Sequence, residues 1–147
     1  MIPFNDIQTV IKNLSNIGIG KLSDWHKSYA GDESYLSMTN YYQFGTDDIT
    51  KIPNTLAFYL TGEETYIKQV EVVLDIGYEQ DKNKELEKFI EVLNSTLNSL
   101  SIPMSNDLIE SITTSKKYYK EFNTHTLLLD YEKFDRMEKY VLSITTQ

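Results

Sequence analysis

Between Tyr66 and Tyr78 apolar and polar residues alternate, and from Asn83 to Leu100 apolar residues recur every three or four positions. In the first segment Val70, Val72, Leu74 and Ile76 share one parity, while Gln69, Glu71 and Asp75 share the other. That is the pattern of a strand with one buried face and one wet face. In the second segment Leu86, Phe89, Ile90, Leu93, Leu97 and Leu100 form one stripe of a helix. A half-buried strand feeding an amphipathic helix predicts a sheet with a helix laid across one face.

The same reading extends along the chain. Phe4, Ile7, Val10, Ile11, Leu14 and Ile17 predict a first helix, with Pro3 near its first turn and Gly18 and Gly20 stopping it. Trp25 lies in connecting chain and is expected to close an edge of the core. Ser34 to Gly45 reads as a strand with Leu36, Met38, Tyr42 and Phe44 on one side and Tyr35, Thr39 and Tyr41 on the other, interrupted at Asn40. Residues 46–54 read as a loop, and Thr55 to Thr61 as a strand with Leu56, Phe58 and Leu60 inward. Gly62, Glu63 and Glu64 are expected at the tip of a hairpin.

After the long helix Pro103 breaks the chain, and Ser105 or Asn106 is placed to cap a short helix carrying Leu108, Ile109 and Ile112. Thr113 to Asn123 fits neither period. Thr124–Tyr131 alternates with His125, Leu127, Leu129 and Tyr131 on one side, and Lys139–Thr146 with Tyr140, Leu142, Ile144 and Thr146. The charged stretch 132–138 then joins them as a hairpin. Helix, three strands, two helices and two strands predict one α+β domain over residues 1–147. Its sheet is expected to be about five-stranded and mostly antiparallel, with helices on one face.

A length of 147 residues suits one domain, and 40% hydrophobic content is that of a folded chain. No apolar run reaches the ~20 residues needed to span a bilayer. The first residues carry no basic stretch followed by a long apolar core, so no secretory signal is expected, and the cytoplasm is the expected location. The absence of cysteine excludes disulfides, thiol nucleophiles, zinc–thiolate sites and iron–sulfur clusters. The net charge of −8 is concentrated in residues 61–100, where nine acids meet four lysines. A negative field repels phosphate backbones and anionic membrane surfaces, so neither nucleic acid nor membrane is an expected partner. It attracts and steers a basic protein.

Candidate chemistry is sparse. With two histidines, His26 and His125, no multi-imidazole metal site can form, and both are expected to serve packing or the surface. Asp47–Asp48 is the one adjacent Asp pair and reads as a solvated loop. The glycines form no phosphate-cradling cluster, and Gly18-Ile-Gly20 follows a helix rather than a strand. No cofactor is implied. Tyrosine stands out, with eleven against six phenylalanines, and rings of both strand parities cannot all be buried. Tyrosine favours strands for its own sake, but it also lines binding surfaces.

The expected function is therefore a non-catalytic, acidic protein-binding domain for a basic partner. One version is an immunity or antitoxin-type protein that neutralises a cationic toxin, a likeness of size and charge alone. The expected contact rim is Glu63, Glu64, Asp75 and Glu79 with Tyr41 and Tyr59. The alternative is a small-molecule binder or enzyme with a Tyr- and Phe-lined pocket between sheet and helix, using His26, His125 and Asp130. Oligomeric state is not legible in the chain.

Overall fold

The computed structural model describes residues 4–29, 31–46, 53–77, 82–135 and 137–146. Helix α1 (Ile7–Ser15) is followed by strands β1 (His26–Lys27), β2 (Tyr35–Met38), β3 (Tyr42–Thr46), β4 (Pro53–Glu63) and β5 (Tyr66–Ile76). Helices α2 (Lys82–Ser99) and α3 (Asn106–Thr113) come next, then β6 (Tyr118–Glu121), β7 (His125–Phe134) and β8 (Met137–Thr146). The described strands form one sheet in the order β1-β2-β4-β5-β8-β7-β6, with β3 beside β4, and every pairing is antiparallel. No described helix is long and apolar enough to cross a membrane.

The α+β class and the helices on one face agree with the sequence. The strand count does not: eight strands are described, against about five expected. Three differences account for this. The segment read as one strand from Ser34 to Gly45 is two, β2 and β3, both lying along β4. Ser37 faces Leu60 and Tyr42 faces Leu56, so the edge holds one residue more than β4 does between the same two points. That extra residue is a bulge, and it reverses parity. Tyr42 and Phe44 pack on the core, whereas Leu36 and Met38 fall on the opposite face, contrary to the single stripe expected of them. Thr39 is buried at the break, and its hydroxyl takes the amide of Phe58 at 2.9 Å. The second difference is β6, drawn from the stretch that fits neither period; a four-residue edge strand is too short to show one. The third is β1, a two-residue edge strand with no readable pattern.

The core lies between the sheet and the helices. Leu56, Phe58, Val70, Val72, Leu74, Leu142 and Ile144 are fully buried on one sheet face, against Phe89, Leu93 and Leu97 of α2 and Leu108 and Ile112 of α3. Helix α1 adds Val10 and Leu14, and its stripe also includes Phe4, Ile7, Ile11 and Ile17. Asp6 caps α1 by accepting the Thr9 amide, and Ser105 caps α3 by accepting the Leu108 amide. Trp25 packs at the core edge as expected; its indole N–H donates to the Glu63 carbonyl at 3.1 Å. Pro3 lies outside the described residues.

The β4–β5 hairpin carries a second bulge. Thr61 faces Gln69, but Gly62 faces Ile67, which leaves Lys68 as the extra residue. The shift brings Ile67 onto the buried face with Val70, although the two differ in parity. A Cβ on Gly62 would stand 2.3 Å from the Tyr66 carbonyl oxygen and 2.7 Å from the Lys68 amide nitrogen. Both are backbone atoms that cannot swing aside. Gly62→Ala is expected to destabilise the fold by about 1–3 kcal/mol. An unchanged urea midpoint in this variant is the contrary result.

Two buried polar contacts fasten the start of α2 to the sheet. Asn54, buried in β4, donates to Glu85 Oε1 at 2.7 Å and accepts the Gly77 amide at 3.0 Å. Lys82 Nζ stands 2.8 Å from Oε1 of Glu138, which also accepts the Tyr131 hydroxyl. Glu138 is a core-face residue of β8, 2% exposed. The sequence placed it in a charged connection, but β7 and β8 run on into that stretch as far as a turn at Asp135.

Candidate functional site

All three described helices cover one face of the sheet, so among the described residues the opposite face is built mainly from strand side chains. The register arranges these in rows. Thr55, Asp75, Lys139 and Glu132 cross β4, β5, β8 and β7 in one row. Ala57, Val73, Val141 and Asp130 form the next. Met38, Tyr59, Glu71, Ser143, Leu128 and Tyr119 form a third that runs from β2 to β6. Among the described residues this face offers six carboxylates (Glu63, Glu71, Asp75, Glu121, Asp130 and Glu132) against the ammonium groups of Lys117 and Lys139, and Glu63, at its far end, is paired with Lys68. It is acidic, with tyrosine and methionine at its margins.

Two clefts of about 340 Å³ each open on it. One is lined by Glu71, Lys117, Asp130, Glu132, Lys139 and Ser143, and within it Lys117 stands 3.7 Å from Asp130. The other is mainly apolar and is lined by Tyr41, Pro53, Thr55, Asp75, Gly77 and Met137. Glu71 and Asp75 lie half-buried along this surface. Burial pushes the Asp75 carboxyl above its ordinary 3.8, only partly opposed by Lys139. It raises Glu71 likewise, against the lowering by a Ser143 hydrogen bond and by Lys139. The Tyr59 phenol is pushed up to about 12 by burial, by its hydrogen bond with Tyr41, and by the negative charge of Asp75 and Glu71.

These shifts give a stability prediction. A carboxyl whose folded pKa is raised costs the folded state once it ionises, and costs nothing when both states are protonated. Asp75→Asn is therefore expected to raise the melting temperature at pH 7. The gain should shrink as pH falls and vanish well below 3.8. A gain independent of pH would contradict desolvation as its cause.

The structure divides the residues expected to form the rim. Asp75 and Tyr59 are on the uncovered face, and Tyr41 adjoins them at the break between β2 and β3, 63% exposed. Glu63 and Glu64 sit at the β4–β5 turn, roughly 30 Å from Asp75 along β5 at the usual rise per strand residue. Glu63 is already engaged, 2.6 Å from Lys68. Glu79 lies outside the described residues, as do Asp47 and Asp48. Glu71 and Glu132, missing from the expected rim, belong to the same surface as Asp75. Their alternation with lysine follows from strand register, which no local pattern reveals.

The three polar groups of the pocket alternative do not converge. His26 is on β1, five strands from His125 on β7, and its Nδ1 lies 2.7 Å from the Asp24 carbonyl. His125 is buried on the core face, stacked on Phe122 with ring centroids 4.6 Å apart, and burial lowers its pKa. Asp130, five residues along β7, points to the opposite face. The space between sheet and α2 is occupied by Phe89, Leu93 and Tyr140, each fully buried. No family model, no curated protein and no solved structure matches this chain.

Proposed function

We propose that this chain is a non-catalytic acidic binding domain that holds a basic protein against the uncovered face of its sheet. One form of that role is the immunity type, in which the domain neutralises a cationic toxin by covering it. The observation that supports the reading is the pair of half-buried carboxylates, Glu71 and Asp75, lying next to Tyr59 and Tyr41 on a face no described helix covers. Desolvated carboxylates are regained as favourable interactions when a cation arrives. Tyrosine supplies contact area at low entropic cost.

The test is capture from the native host at low salt, with elution by rising salt, followed by association kinetics against the captured protein. Reversing both charges (Glu71→Lys with Asp75→Lys) is expected to slow association by about tenfold or more, with a smaller effect on dissociation. The salt dependence of the on-rate should flatten in parallel. Failure to capture a basic protein, or an on-rate indifferent to the reversal, would remove the uncovered face as the docking surface.

A further inference from the structure

We infer that the apolar cleft between Tyr41 and Asp75 receives an arginine side chain of the partner, an inference that rests on the binding role proposed above. The cleft has the dimensions and chemistry of a side-chain pocket rather than of a general surface. Pro53, Thr55, Gly77 and Met137 give it walls that suit a methylene stem. Among its described lining residues the one carboxylate is that of Asp75. Tyr41 leaves most of its ring open to solvent. Its side chain is hydrogen-bonded to that of Tyr59, which holds the ring at the cleft's edge. Met137, 43% exposed, is an adaptable wall.

Charge selects the occupant. Glu71, on the same strand and face as Asp75, adds a second negative charge nearby, while Lys139 of the adjacent strand offsets part of it. An anion is repelled. A neutral apolar group would strip water from the carboxylate and leave it unpaired, which is costly. A hard metal ion needs six or more oxygen ligands, and the described lining residues present one carboxylate. Between the two long cations, the geometry favours guanidinium. It is planar, pairs with a carboxylate through two parallel N–H groups, and stacks on a tyrosine face, whereas an ammonium does none of these together.

The experiment is a two-dimensional amide NMR titration of the full chain with N-acetyl-argininamide, in parallel with N-acetyl-lysinamide and the neutral isostere N-acetyl-citrullinamide. The expected result is saturable shifts centred on Tyr41, Thr55, Asp75 and Gly77 with a millimolar dissociation constant of about 1–30 mM. The lysine analogue should bind several-fold more weakly, and the citrulline analogue should give no saturation. Asp75→Asn is expected to weaken argininamide binding by at least about tenfold. Because that substitution is expected to stabilise the fold, lost binding cannot be put down to unfolding. Tyr41→Leu, which keeps the carboxylate, should weaken binding by about threefold or more.

Shifts that are absent, that map elsewhere, that persist in Asp75→Asn, or that are equal for the lysine and citrulline analogues overturn the inference. The outcome separates cleanly from that of the binding role. If the charge reversal slows partner association while argininamide does not bind, the cleft assignment alone fails. If argininamide binds in the cleft but no basic protein is captured, the cleft stands as an arginine site and the docking role fails.

Discussion

Phe89→Ala is expected to lower the free energy of unfolding by about 3–5 kcal/mol, a large fraction of the roughly 5–15 kcal/mol that holds a domain together. Phe89 is fully buried on α2, and its ring lies 6.0 Å from that of Tyr140 on β8. Truncation removes the transfer free energy of the ring and leaves a void that the sheet behind it cannot close, since strands cannot collapse into it without breaking register. Val141→Ala provides the contrast. Val141 is one residue along from Tyr140 but on the uncovered face, so its loss is expected to cost below about 1 kcal/mol. Urea unfolding followed by circular dichroism gives both values. Equal losses would mean that helices lie on both faces, and the binding surface argued here would not exist.

The second large effect is expected at Lys82. Lys82→Met should cost about 2–4 kcal/mol at pH 7, because it leaves the carboxylate of Glu138 buried without its cation. Among the described residues Oε2 of Glu138 has no hydrogen-bond partner, so the carboxylate leans on Oε1, where Lys82 and Tyr131 both bind. Burial alone would raise the Glu138 pKa, but the hydrogen bonds from Lys82 and Tyr131 outweigh it and hold the group below its ordinary 4.5. Burial would lower Lys82, but its hydrogen bonds with Glu138 and Tyr140 raise it above 10.5. Burial and the bond to Glu138 push Tyr131 up to about 12.

The pH window follows from these directions. The stability contributed by Glu138 is complete above 4.5 and is lost as pH falls through its folded value. That of Lys82 is complete below 10.5 and is lost as pH rises through its folded value. The deficit of Lys82→Met should therefore be large at pH 7 and narrow at pH 3, where the stranded carboxyl takes up a proton. Adding Glu138→Leu should restore most of the loss, since an apolar replacement of the whole pair removes the uncompensated charge. A deficit that is the same at both pH values would show that packing of the lysine stem, and not its charge, holds α2 down.

What the chain discloses about itself depends on how far apart the interacting residues are. The parity of β5, the stripe of α2 and the cap at Ser105 all act within a few residues, and each is legible because its period repeats. The bulges are not. One extra residue between Ser37 and Tyr42 leaves a plausible continuous alternation in the sequence, yet it sends Met38 and Phe44 to opposite faces. Glu138 was hidden for a different reason: a charged residue among charged neighbours reads as a solvated turn, and its burial is made tolerable by Lys82, 56 residues away, together with Tyr131 across the hairpin. The candidate surface was half legible. Asp75, Tyr41 and Tyr59 could be singled out by residue type, but the turn acids Glu63 and Glu64 could not be separated from them without the length of β5.

The central seam of the sheet joins β5 to β8, and Gln69 meets Thr145 across 76 residues of chain. Each half can form its own hairpin early, β4 with β5 and β7 with β8, because those turns are short. The seam itself forms only when the two hairpins meet. Folding of this chain is thus expected to end in a slow docking of one hairpin on the other, and until then β5 keeps an open apolar flank that invites association.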